Sequence, residues 1–170
     1  MSACACPKEC SQQQRHSPGV VKAEEPIVYV LLQPDHWAGG QLTAAAFAKS
    51  QLSRGTLSVC RGAHCTAEEA RASIVQPQLE RDDRRVLVGA LRARCSDIRD
   101  IKLEAHRAVC VIDDGQANFP AHAVLAYSEV TKQEKFWERN QRSAVRAELA
   151  RVFGLQPGPL SLKDCWDHFA

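Results

Sequence analysis

The sequence has no apolar run approaching the roughly 18–20 residues needed to span a bilayer, so a membrane-spanning helix is not expected. It has no basic start followed by an apolar core, so no secretory leader is read. It has little net charge, +2 at pH 7, which gives no whole-molecule attraction to nucleic acid or to an anionic membrane. It lacks a Gly-rich phosphate loop, a nucleophile elbow, a Walker-type Lys-Ser/Thr pair and any internal repeat. The expectation from these absences is a cytoplasmic protein without a membrane partner, in which most of the eight cysteines stay reduced.

What is present is an ordinary core-forming composition. The 170 residues are 45% hydrophobic and 25% charged, which suits one domain with a real core. Residues 1–25 are rich in Gln, Ser, Lys and Pro without apolar periodicity, and read as a flexible, Cys-containing tail. Residues 26–154 read as a single domain and 155–170 as a C-terminal extension.

Within the domain, Ile27–Leu32, Thr56–Arg61 and Val86–Leu91 read as strands, and Arg107–Tyr127 reads as strand, polar turn, strand, being β-branched, alternating or continuously apolar. Gln41–Leu52 reads as a helix with Thr43 as its cap and Phe47 as its core anchor. Thr66 with Glu69, and Thr131 with Glu134, are capping-box pairs. The first is expected to open a helix that stops before Pro77. The second is expected to open the longest helix, with Val145, Leu149 and Val152 inward and Gly154 as C-cap. The expected class is α+β: a mixed or antiparallel sheet of about five strands, with three helices mainly on one face.

The densest chemistry falls on the polar turn between the last two strands. Asp113 and Asp114 are adjacent carboxylates that could hold Mg²⁺, and His122 could act as acid or base. Asn118 could bind a ligand. The same residues are also normal turn and core residues, so both readings stand. Cys4, Cys6, Cys10 and His16 offer four soft ligands for zinc, although their spacing is not that of a common zinc module. Cys60, His64 and Cys65 could form an activated thiolate or a partial metal site, and Arg61 beside them could hold a ligand. Cys60, Cys95 and Cys110 lie in or beside apolar segments and read as small hydrophobes. Arg139, Arg142 and Arg146 share one helix face and could grip phosphates, or could simply be solvated. Trp37 and Trp166 are read as exposed loop aromatics that could anchor a protein partner.

Leu57-Ser58-Val59-x-Arg61, Thr66-Ala67-Glu68-Glu69-Ala70, Asp97-Ile98-Arg99, Asp113-Asp114-Gly115 and Asn118-x-Pro120-Ala121-His122-Ala123 resemble patterns of a group of small uncharacterised bacterial proteins. The resemblance spans about residues 45–127. Phe119 is inserted where that group has Asn-Pro directly. The resemblance implies a bacterial intracellular protein and carries no activity. The reading from sequence is a small binding or accessory module acting with a protein partner through the Asp113–His122 turn. A metal-dependent phosphoesterase using Asp113, Asp114 and His122 is the alternative. A nucleic-acid binder using the basic helix is the third reading.

Overall fold

The computed structural model describes residues 6–11, 14–133, 139–154 and 158–167. A short helix, α1 (Pro7–Ser11), precedes strand β1 (Pro26–Gln33). Two-residue strands β2 (Trp37–Ala38) and β3 (Gln41–Leu42) form a ribbon, followed by helix α2 (Lys49–Arg54). Strand β4 (Leu57–Arg61) leads through a 3-10 turn into a composite helix: α3 (Ala67–Ala70), a π turn (Arg71–Val75) and α4 (Gln76–Arg81). Strand β5 (Val86–Arg94) is followed by α5 (Cys95–Arg99) and a ribbon of β6 (Lys102–Leu103) and β7 (His106–Arg107). Strands β8 (Val109–Asp113) and β9 (His122–Tyr127) come next, then helix α6 (Arg139–Gly154) and helix α7 (Leu162–Asp167). Among the described residues no helix is long and apolar enough to cross a membrane.

The fold is α+β. Its five-stranded sheet has the order β5-β1-β4-β9-β8, and every neighbouring pair is antiparallel. Side chains alternate between the two faces along each strand. One face carries Tyr29, Leu57, Val59 and Leu125, packed against Val145, Leu149, Val152 and Phe153 of α6. The opposite face carries Val28, Val30 and Cys60, packed against Ala70, Ile74 and Val75 of the composite helix and Leu162 and Cys165 of α7. Cover on both faces explains why β1 and β9 read as continuous apolar runs rather than as alternating ones.

Both sheet edges are partly covered, which blunts edge-to-edge pairing there. On β5, Ala90 and Leu160 exchange two backbone hydrogen bonds, at 2.9 and 3.0 Å. On β8, the Val111 N–H donates to the Glu9 carboxylate at 3.1 Å, and Arg107 Nε donates to the Val109 carbonyl at 3.0 Å.

Four local expectations are corrected. The helix read over Gln41–Leu52 begins only at Lys49, because Gly39 and Gly40 both take positive φ and fold β2 back onto β3. The helix opened by the Thr66–Glu69 capping box, which is present, does not stop before Pro77. The π turn widens the helix just before Pro77, with the Gln76 N–H bonded back to the Arg71 carbonyl, and the helix runs on through Pro77 into α4. Thr131 does not cap the last helix: it is buried, donating from Oγ1 to the Ala108 carbonyl at 3.0 Å. Residues 134–138, with Glu134, lie outside the described residues, and α6 is described from Arg139. Finally, the described part of residues 1–25 is tied to the domain rather than free. Cys6 is bonded to Cys110, Val21 joins the core, and Glu9 pairs with Arg99 and Arg107. Cys110 is therefore a disulfide half rather than a reduced small hydrophobe.

Candidate functional site

The site begins with strand register. Cys60 of β4 lies opposite His122 of β9, so Ser58, two residues earlier, is on the same face and diagonal to that histidine. His122 Nε2 lies 3.1 Å from Ser58 Oγ. On the other side of the ring, His122 Nδ1 lies 2.9 Å from Asp114 Oδ2 and 3.2 Å from the Asp114 carbonyl oxygen. The Asp114 carboxylate and carbonyl place a hydrogen on Nδ1, with the Gln116 amide nitrogen 3.4 Å from the same ring nitrogen; in the neutral ring Nε2 then accepts from the Ser58 hydroxyl. The result is a Ser–His–Asp chain, with a nucleophile, a base and an orienting carboxylate each in hydrogen-bond reach.

The turn holds this geometry. The Asp114 N–H donates to the His122 carbonyl at 3.1 Å, and Gln116 and Phe119 exchange two backbone bonds at 3.1 Å each. Gly115 is required by close approach: a Cβ there would lie 2.8 Å from the Pro120 carbonyl oxygen and 2.8 Å from Ser17 Cα. The N-terminal segment thus backs the turn directly.

A cleft of about 350 Å³ opens beside the chain, with Ser58, His122, Gln116 and Asn118 in its lining. Sheet geometry creates it. Strands β1 and β4 pair only at Ile27–Arg61 and Val28–Cys60. Extending that register would set Val30 opposite Ser58, but the ladder has ended, and both residues line the cleft instead.

On the opposite face lies a second polar cluster. Arg61 is 1% exposed. Its Nε and Nη2 donate to Glu25 at 2.8 and 2.7 Å, and its Nη1 donates to Asp113 at 3.1 Å and to the Gly19 carbonyl at 2.5 Å. Burial works to raise the Glu25 carboxyl, but hydrogen bonds from Arg61 and the Lys22 N–H outweigh it and hold the group below its ordinary range. Arg61 spends its guanidinium inside the protein, so it is a structural cation rather than a ligand holder.

Other sequence candidates are relocated. Asp113 and Asp114 do not share a metal: strand alternation sends Asp113 to Arg61 and the turn sends Asp114 to His122. Among the described residues they join no cluster of three metal-binding side chains. The zinc set loses Cys6, whose thiolate is consumed by the bond to Cys110. His16 is exposed, and Cys4 and the Cys10 side chain lie outside the described residues. In the Cys60 cluster, His64 turns towards Glu25 at 3.6 Å. The Cys60 thiol is pushed up by its hydrogen bond with Cys65 and by burial, so it stays protonated.

Arg142 and Arg146 of the basic stripe make hydrogen bonds inside the protein. Arg142 is buried, donating to the Thr131 carbonyl at 3.2 Å, with its guanidinium 5.6 Å from the Tyr127 ring centroid. Arg146 Nε donates to the Phe47 carbonyl at 2.7 Å, and the Arg139 side chain lies outside the described residues. Trp37 and Trp166 are half-buried rather than exposed. Trp37 packs on the core, and Trp166 Nε1 donates to the Cys65 carbonyl at 2.6 Å.

Asn118 and His122 line one cleft, and sequence reading did not single out Ser58, Gln116 or Glu25. A signal for Ser58 existed: it is the polar residue between Leu57 and Val59, in a strand, within one of the quoted patterns. Comparison with models of known protein families, with curated proteins and with solved structures finds no match.

Proposed function

We propose that the protein is a hydrolase that transfers an acyl group through Ser58. The observation that carries this reading is the pair of distances about His122, 3.1 Å to Ser58 Oγ and 2.9 Å to Asp114 Oδ2, at the wall of an open cleft. Ser58 Oγ attacks the carbonyl carbon of an ester, its proton passes to His122 Nε2, and the carbonyl electron pair moves onto oxygen. Collapse expels the alcohol, which takes that proton. Water then attacks the acyl-serine, gives a proton to His122, and releases the acid as Ser58 recovers its hydrogen. Asp114 holds the ring in the tautomer that can accept, and the side-chain amide of Asn118 in the cleft lining is a candidate donor to the developing oxyanion.

The test is covalent labelling. A fluorophosphonate is expected to add once per chain, with peptide mapping placing the adduct on Ser58 and fluoride leaving. Ser58→Ala should abolish the adduct, and Asp114→Asn should slow labelling by about 10²–10⁴-fold. A folded wild-type protein that stays unmodified at excess reagent would sink the hydrolase. The turn would then stand as a binding surface of an accessory module with a protein partner.

A further inference from the structure

The charge of the cleft bears on what enters it, and this step rests on the hydrolase reading above. Among the described residues, the lining contains a guanidinium, Arg81, and no carboxylate. Arg81 is exposed at the C-terminal end of α4, and among the described residues it makes no ion pair or side-chain hydrogen bond. Of the acids around it, Asp83 is exposed and outside the cleft lining, and the others have partners of their own. Glu80 accepts from Gln76 at 3.1 Å, Asp82 pairs with Arg84 at 2.8 Å, Asp35 pairs with Arg85 at 2.8 Å, and Asp114 is held by His122.

The rest of the polar lining is uncharged and includes the amides of Gln51 and Asn118, while Gln78 Nε2 donates to the Ile74 carbonyl at 3.3 Å. His36 adds another donor. Its Nδ1 accepts the Leu32 N–H at 3.2 Å, so its ring hydrogen is on Nε2. Burial lowers its pKa, which keeps the ring neutral. A partly enclosed pocket whose lining holds one cation, no carboxylate and several neutral donors favours an anion over a neutral ligand of the same shape.

We infer that the substrate is an ester whose acyl group carries a carboxylate, a monoester of a short dicarboxylic acid, and that Arg81 is the counter-ion for it. The cleft of about 350 Å³ is at the small end of ligand pockets, which fits a short acyl chain.

Two measurements separate this inference from the hydrolase reading. The first compares 4-nitrophenyl hemiglutarate with 4-nitrophenyl pentanoate at low ionic strength. The wild type is expected to prefer the charged ester by about tenfold or more in kcat/KM, and Arg81→Gln to reduce that ratio to near one. Equal use of both esters, or a preference that survives Arg81→Gln, overturns the inference. The second needs no turnover: Ser58→Ala protein is titrated with monomethyl glutarate by calorimetry. Binding that disappears on adding Arg81→Gln supports the carboxylate site even if Ser58 proves unreactive. Absence of binding, or binding indifferent to Arg81, overturns the site while leaving the hydrolase reading to the labelling experiment.

Discussion

Arg61 shows how one residue sets local chemistry far from the cleft. Its charge is out of water, and it is tolerable only because Glu25 takes it in a two-point grip while Asp113 and backbone carbonyls take what remains. One oxygen of Asp113, Oδ2, is buried without a hydrogen-bond partner, so the cluster is tightly but not completely satisfied. Glu25→Gln should therefore cost about 3–5 kcal/mol, because it leaves the guanidinium short of a compensating charge. The pH dependence has a definite sign. The folded pKa of Glu25 is depressed, so its stabilisation is complete above the unfolded value of about 4.3 and is lost as pH falls through the lower folded value. Urea midpoints measured from pH 7 to pH 2.5 should fall less steeply on the acid side in Glu25→Gln than in wild type. Parallel acid limbs would show that this carboxylate does not carry the charge.

At the scale of elements, α1 acts as a clamp on the edge of the sheet. Cys6 is bonded to Cys110 across a separation of 104 residues, and Glu9 satisfies both two arginines and the Val111 N–H. The chain then runs on so that Ser17 sits against Gly115, and Gly19 and Val20 supply carbonyls to Arg61. The N-terminal segment is thus linked both to the sheet edge and to the turn that carries Asp114. Reduction of the bond, or Cys6→Ser, should lower stability by about 2–5 kcal/mol, because closing so long a loop restrains the unfolded chain. The same change should speed amide hydrogen exchange over 114–121, since the turn loses its backing. If exchange there is unaltered while stability drops, the segment anchors the edge but does not support the site.

The whole molecule separates the face that carries the larger core from the face that carries the proposed site. Helix α6 and the larger core lie on one side of the sheet, and the Ser58–His122 pair with the composite helix lies on the other. Leu149 is fully buried on the α6 side. Leu149→Ala should cost about 2–5 kcal/mol, a fall in Tm of roughly 5–15 °C for a chain of this size, with little change in the rate of Ser58 labelling at 25 °C. Ile74 lines the cleft and packs in the opposite core, so Ile74→Ala should lower Tm and also alter labelling. A labelling defect in folded Leu149→Ala would mean that the faces are coupled through the sheet.

The sequence by itself determined the α+β class, the five strands and the Thr66–Glu69 helix start. These follow from apolar runs, alternation and a capping pattern, which act over a few residues. It also singled out Asp114 and His122, which the structure brings to within 2.9 Å of each other. Only the tertiary structure decided which side chains meet. Register set Ser58 beside His122 across 64 positions of sequence, and alternation with the bend after β8 sent Asp113 and Asp114 to opposite faces. Packing turned Arg142 and Arg146 inward although their spacing marks a helix stripe, because nearby carbonyls offered hydrogen bonds. Spacing fixes which residues share a face; which face is buried, and what lies against it, is a property of the assembled sheet.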